Sequence, residues 1–210
     1  MGCGNFGSYL CKKCFGQIVY VEKPVCPICQ RQVIGGKTHF GCRGKFRLDG
    51  LVVPLRYKWP VDVAIRKIKY KWIYTISEIL VAFVVTDFWK SDVPNFDLIL
   101  PIPLHLRRKK WRGFNQAEIL ACDLAKRFKV KLGRELVRVR ETKTQVGLSK
   151  DERKRNISGA FSLTSAGDIK GKNVLLVDDV YTTGATMSEA CKVLKKAGAG
   201  EVWALCVALG

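Results

Sequence analysis

A chain of 210 residues is long enough for one full α/β domain with a small appendage and too short for two large domains. Lysine and arginine outnumber aspartate and glutamate 37 to 18, and the resulting net charge of +19 favours polyanionic partners such as nucleic acid, phosphorylated metabolites or an anionic membrane surface. The most apolar run, Ile79–Val85, falls far short of the roughly 20 residues a spanning helix needs, and no secretory leader opens the chain, so no membrane span and a cytoplasmic location are expected.

Six of the nine cysteines lie in the first 42 residues. In a reducing compartment they read as thiolate ligands and not as disulfides. Cys11-Lys-Lys-Cys14 and Cys26-Pro-Ile-Cys29 are C-x-x-C pairs, and His39-x-x-Cys42 supplies a further half-site. This spacing lets both donors of a pair reach one tetrahedral Zn²⁺. Cys3-Gly4 has the form of the second half of another knuckle. A redox role for C-x-x-C would call for a thioredoxin-like βαβ context, which is missing here. Residues 1–45 are too rich in glycine and cysteine to bury a core unaided and are expected to need the metal to fold. Cys122, Cys191 and Cys206 fall in predicted helices or a strand and read as small core residues.

Residues 46–60, with Gly50, Pro54 and Pro60 among apolar positions, read as an extended join to the second unit, 46–210. From Val61 to Phe88 apolar residues recur at helical spacing and predict one or two amphipathic helices. Strand and helix then alternate. Phe96–Ile102, Leu136–Val139, Val174–Val177 and Val202–Val207 read as strands, and Asn115–Phe128 and Ala185–Lys196 as helices. Such alternation predicts a mostly parallel sheet with helices on both faces. Glu141–Gly159 is polar and free of strand pattern, as suits a long mobile loop centred on 146–156.

The most informative stretch is Asn173–Thr186, where a fully apolar strand ends in Asp178 and Asp179 and then a Thr/Gly loop opens a helix. At the carboxyl end of a parallel strand the chain leaves the sheet at the ligand crevice, so both carboxylates can accept hydrogen bonds from vicinal ribose hydroxyls. Thr182, Thr183, Gly184, Ala185 and Thr186 offer hydroxyls and unpaired amides at a helix N-terminus, which favours a phosphate. An ordinary strand–turn–helix connection would not call for paired carboxylates and three threonines around one glycine.

The stretch resembles the 5-phosphoribosyl-1-pyrophosphate (PRPP) motif of type I phosphoribosyltransferases along its whole length. That resemblance implies a type I phosphoribosyltransferase fold, with Asp178 and Asp179 at the ribose, Thr182–Thr186 at the 5-phosphate, Val180 and Tyr181 within the same PRPP site and Mg²⁺ bridging pyrophosphate and ribose. It also implies that the turn Pro103-Leu-His105, with Leu104 and the following Arg107 and Arg108, grips the pyrophosphate. A basic turn in water is the plainer account of those arginines.

Pro-Ile-Pro-Leu-His105, Arg112-Gly-Phe-Asn-Gln-Ala, Thr142-x-x-Gln-x-x-Leu-Ser149 and Arg155-Asn-x-x-Gly-Ala-Phe161 are together similar to the ComF family of bacterial competence-associated proteins. That resemblance implies an N-terminal zinc ribbon, a phosphoribosyltransferase-like domain and a link to DNA uptake in natural transformation. It assigns Lys143, Lys150 and Arg153 to a mobile loop that closes over PRPP, and it implies either a start later than the family's or a three-ligand zinc site at Cys3.

Three functions are weighed: a PRPP-using pentosyl transferase, a single-stranded DNA-binding competence factor, and a zinc-ribbon scaffold that docks a competence helicase. For DNA, Arg107, Arg108, Lys109, Lys110 and Arg112 would track the backbone while nearby aromatics stack on bases, although packing explains Trp59, Trp72 and Trp111 equally well.

Overall fold

The computed structural model describes residues 10–71, 74–88, 90–142 and 149–210. The described residues open with a single helical turn, α1 (Lys12–Phe15), which follows Cys11 and contains Cys14, and then run irregularly to β1 (Gly50–Val52) and β2 (Leu55–Arg56). The expected join at 46–60 is therefore part of the sheet, because β1 and β2 both pair in parallel with the final strand. Gly50 is required there, since a Cβ would sit 2.3 Å from the Trp203 ring. The predicted helical region forms α2 (Val61–Lys71) and α3 (Tyr74–Phe88).

Strand β3 (Leu98–Pro101) is followed by α4 (Leu106–Arg112) and α5 (Gln116–Phe128). The basic run read as a loop is thus a short helix, ended by Gly113 at φ 81, where a residue without Cβ adopts the left-handed turn most readily. After β4 (Lys131–Leu132), strands β5 (Leu136–Arg138) and β6 (Phe161–Leu163) pair antiparallel outside the main sheet. Between them lies α6 (Lys150–Ile157), which corrects the expectation of unbroken loop over 141–159. Its start carries a capping box: the Ser149 side chain accepts from the Glu152 amide and the Glu152 carboxylate accepts from the Ser149 amide.

The last three elements are β7 (Val174–Tyr181), α7 (Ala185–Lys196) and β8 (Val202–Leu209). Strand order is β1-β8-β7-β3-β4 with β2 also on β8, and every pair is parallel. β7 runs four residues beyond the predicted Val177 because Val180 and Tyr181 pair with Ala208 and Leu209.

Side chains alternate across the sheet. Leu98, Leu100, Val174, Leu176, Val202 and Ala204 enter one core with Ala190, Cys191 and Leu194 of α7, while Ile99, Leu175, Val177, Trp203 and Leu205 enter the other with residues of α2, α3 and α5. Both faces are covered, as a parallel sheet requires. Cys191 and Cys206 are fully buried and Cys122 is half-buried. Among the described residues no helix is long and apolar enough to cross a membrane.

The N-terminal segment is stitched to this frame. The Val21 amide donates to Pro54 O at 2.7 Å, Arg56 N to Val19 O at 2.8 Å and Thr38 N to Asp49 O at 2.8 Å. Val21 and Val25 are buried in the core that α7 covers.

Candidate functional site

The carboxyl ends of β7 and β3 lie side by side, so the chain leaves the sheet twice at one crevice. Asp179 is buried and Asp178 half-buried. The Asp179 amide donates to Asp178 Oδ1 at 2.8 Å, and Gln116 Nε2 donates to Asp179 Oδ2 at 3.3 Å. Gln116 in turn accepts from Arg112 Nη1 at 2.8 Å, so the second carboxylate is held through α5 by a cation of α4. Val180 and Tyr181 are ladder residues, and the Tyr181 side chain is buried, its hydroxyl donating to Pro27 O at 2.7 Å. Burial raises the Tyr181 pKa, so the hydroxyl stays a donor.

Beyond the strand, Thr182 and Thr183 are half-buried, and Gly184 at φ 72 turns the chain into α7. Thr183 Oγ1 accepts from the Ala185 amide at 3.4 Å. Gly184, the N-cap, brings no side chain of its own to the start of α7, which begins Ala185-Thr186, and a helix start favours an anion.

At the end of β3, Pro103, Leu104 and His105 are half-buried, and His105 Nδ1 is enclosed with no hydrogen-bond partner. Asn115 fixes this exit: its Oδ1 accepts from Ala117 N at 3.2 Å and its Nδ2 donates to Ile102 O at 3.0 Å. The cations of α4 are engaged at the surface. Arg107 pairs with Glu141 at 2.9 Å, Lys109 with Glu118 at 2.9 Å, and Arg108 donates to Thr142 O at 3.2 Å. Lys110 is exposed, and Trp111 is 76% exposed.

Arg153 of α6 reaches across to donate to Thr182 Oγ1 at 3.1 Å, which joins the arm formed by β5, α6 and β6 to the Thr/Gly loop. Lys143 and the Lys150 side chain lie outside the described residues. Arg138, unremarked in the sequence, is brought in by β5. Its pKa is lowered to about 10, first by burial and then by the charge of Arg108, against the upward pull of Asp178. It donates to Thr142 Oγ1 and stacks over the Phe161 ring at 5.6 Å. Gln116 and Arg138 were missed for different reasons. Gln116 stands inside a recognisable motif with no chemistry of its own, whereas nothing local marks a single arginine in a short strand.

A second constellation stands beside the first. The donor atoms of Cys26, Cys29, His39 and Cys42 all lie within 4.8 Å of one another. Thiolates about 2.3 Å from a tetrahedral zinc stand roughly 3.8 Å apart, so this spacing fits the ion. Cys29 Sγ is 3.3 Å from His39 Nδ1, and His39 Nε2 lies 3.0 Å from Gln32 O. A carbonyl only accepts, so Nε2 carries the proton and Nδ1 keeps its lone pair for a metal.

The Cys29 pKa is lowered to about 6, chiefly by the Arg31 backbone N–H and then by the Arg31 and His39 side chains. Cys42 shifts upward through burial and the neighbouring Cys29. Of the other candidate ligands, Cys11 and Cys14 form a separate pair with sulfurs 3.5 Å apart, and Cys3 lies outside the described residues. Among the described residues, only the Cys26 group assembles three or more donors.

A family model described as "Phosphoribosyl transferase domain" matches residues 115–209, from the Asn115 cap to the end of β8. Competence protein F of Haemophilus influenzae is 30% identical over 96% of this chain and 98% of its own length. DNA utilization protein YhgH of Escherichia coli K12 is 30% identical over 98% of this chain and 92% of its own. Among solved structures, a purine phosphoribosyltransferase from Pyrococcus horikoshii matches with a TM-score of 0.33 and 22% identity, over 76% of this chain and 77% of that one.

Proposed function

We propose that this chain, which belongs to the ComF family of competence and DNA-utilization proteins, acts in DNA uptake and binds PRPP or a related phosphorylated ribose at the β7–α7 loop. The observation that carries this is the paired carboxylate end of β7, with Asp179 held by Gln116, running directly into a Thr/Gly loop at a helix start. Asp178 and Asp179 would accept from the ribose 2- and 3-hydroxyls. Thr182, Thr183, Thr186 and the first amides of α7 would hold the 5-phosphate. The pyrophosphate would face Arg107, Arg108 and Arg138, with Mg²⁺ supplied alongside the ligand as a further counter-charge. If the C1 bond breaks there, those cations stabilise the leaving pyrophosphate, whose charge grows in the transition state. Residues 1–45 would form the zinc module and 46–210 the ligand-binding unit.

The test is calorimetric titration of PRPP with Mg²⁺ into the zinc-loaded protein beside the Asp178→Asn, Asp179→Asn variant. Heat of binding in the wild type and none in the variant is expected. A wild type that takes up no PRPP overturns the reading.

A second, compatible activity is single-stranded DNA contact through α4. It is favoured by the net charge of +19 and by an exposed tryptophan lying within a run of five cations.

A further inference from the structure

The Cys26–Cys29 knuckle and the Thr/Gly loop touch through two side chains that neither metal ligation nor phosphate binding accounts for. The Tyr181 hydroxyl donates to Pro27 O at 2.7 Å, inside the knuckle. The same hydroxyl stands 2.2 Å from where a Gly184 Cβ would be, so the ring lies wedged between the knuckle and the glycine that turns the chain into α7. From the other direction, Gln30 Nε2 donates to Thr182 O at 2.5 Å. Gln30 is held for this at φ 57 with its own amide on Cys26 O at 2.9 Å, as the knuckle turn between Cys26 and Cys29 demands. In a planar trans peptide the carbonyl and the next N–H point in opposite directions. The grip on Thr182 O therefore aims the Thr183 N–H away from the knuckle.

We propose that Gln30 and Tyr181 are positioning residues that couple metal binding at Cys26, Cys29, His39 and Cys42 to phosphate binding at Thr182–Thr186, so that each ligand tightens the other. The proposal rests on the phosphate reading of that loop. A knuckle turn fixed by its ligands presents Pro27 O and the Gln30 amide at set points, and the loop they hold is the one whose amides must face the anion. Linkage makes the effect reciprocal: the factor by which zinc raises phosphate affinity is the factor by which phosphate raises zinc affinity.

The experiment uses the full chain with ribose 5-phosphate as probe. Calorimetry measures its affinity for the zinc-loaded wild type, Gln30→Met and Tyr181→Phe. A chromophoric chelator competes for the zinc at equilibrium with and without saturating ribose 5-phosphate. We expect the sugar phosphate to raise wild-type zinc affinity by about 5-fold or more. Each variant should bind it several-fold more weakly and lose most of the coupling while keeping its zinc. If ribose 5-phosphate binds equally to all three proteins and leaves the zinc competition unmoved, the coupling is refuted and the phosphate site stands. If it does not bind the wild type at all, the phosphate reading falls and takes the coupling with it. The wild-type competition needs no variant, so a substitution that fails to fold leaves the test intact.

Discussion

The two chain exits at the crevice are built by opposite means. At the end of β7 the geometry is set by burial: Tyr181 is 1% exposed, and Gly184 fits under it only because it lacks a Cβ. At the end of β3 the chain rises into α4, whose cations lie at the surface, with the Arg107 side chain 80% exposed against Glu141. The first exit can present amides at fixed points and is intolerant of added atoms. The second supplies a field, and its members can be exchanged with little effect on the fold.

Gly184→Ala should break the first exit most severely. A methyl there would meet the Tyr181 oxygen at 2.2 Å, and a residue with a side chain would have to hold φ 72. Left-handed strain and overpacking together cost about 3 kcal/mol. For a chain of this size that is a fall in melting temperature of roughly 6–12 °C, which a thermal melt would detect. An unchanged melting temperature would mean that the loop yields freely.

Asn115 holds the backbone of the second exit, and its removal should have an intermediate effect. Asn115→Ala loses the cap on Ala117 N and leaves the buried Ile102 carbonyl without its side-chain donor. The expected cost is about 2 kcal/mol, measured by urea unfolding. Asn115→Asp keeps a capping oxygen but no donor for Ile102 O, so it should fall between the alanine variant and the wild type.

The same contrast governs what could be read from the sequence. β7, its carboxylates and its Thr/Gly loop were legible because an uninterrupted apolar run and the residues that end it are contiguous. The parallel sheet with helices on both faces followed from the alternation of strands and helices, but its strand order did not. The failures are non-local or are signals of a different kind. β1 and β2 looked like a linker because Gly50 and Pro54 interrupt them, and only Trp203, far along the chain, explains Gly50. β6 acquires its meaning from β5, across the whole arm. The start of α6 was marked by Ser149 and Glu152, a capping box inside a run too polar to show any periodicity. The four-donor cluster was present as two half-sites, but their pairing with each other, and not with Cys11 and Cys14, is a fact of tertiary geometry. The Gln116–Asp179 bond joins residues 63 apart that no local pattern connects.

The smallest structural effect should come from neutralising the second exit. Replacing Arg107 by alanine removes one exposed ion pair and should change stability by no more than ~0.5 kcal/mol. Its consequence is expected in binding. If α4 faces a nucleic-acid backbone, each lost phosphate contact flattens the plot of log affinity against log salt by about 0.7 for a single strand. Replacing Arg107, Arg108, Lys109 and Lys110 together should then reduce that slope by about 3, with melting temperature little changed and PRPP bound more weakly, since Arg107 and Arg108 also face the pyrophosphate. Equal salt slopes for the two proteins would remove α4 from any DNA surface. A flattened slope with lost PRPP binding would mean that the cations of α4 serve both anions, and that nucleic acid and sugar phosphate compete for one crevice.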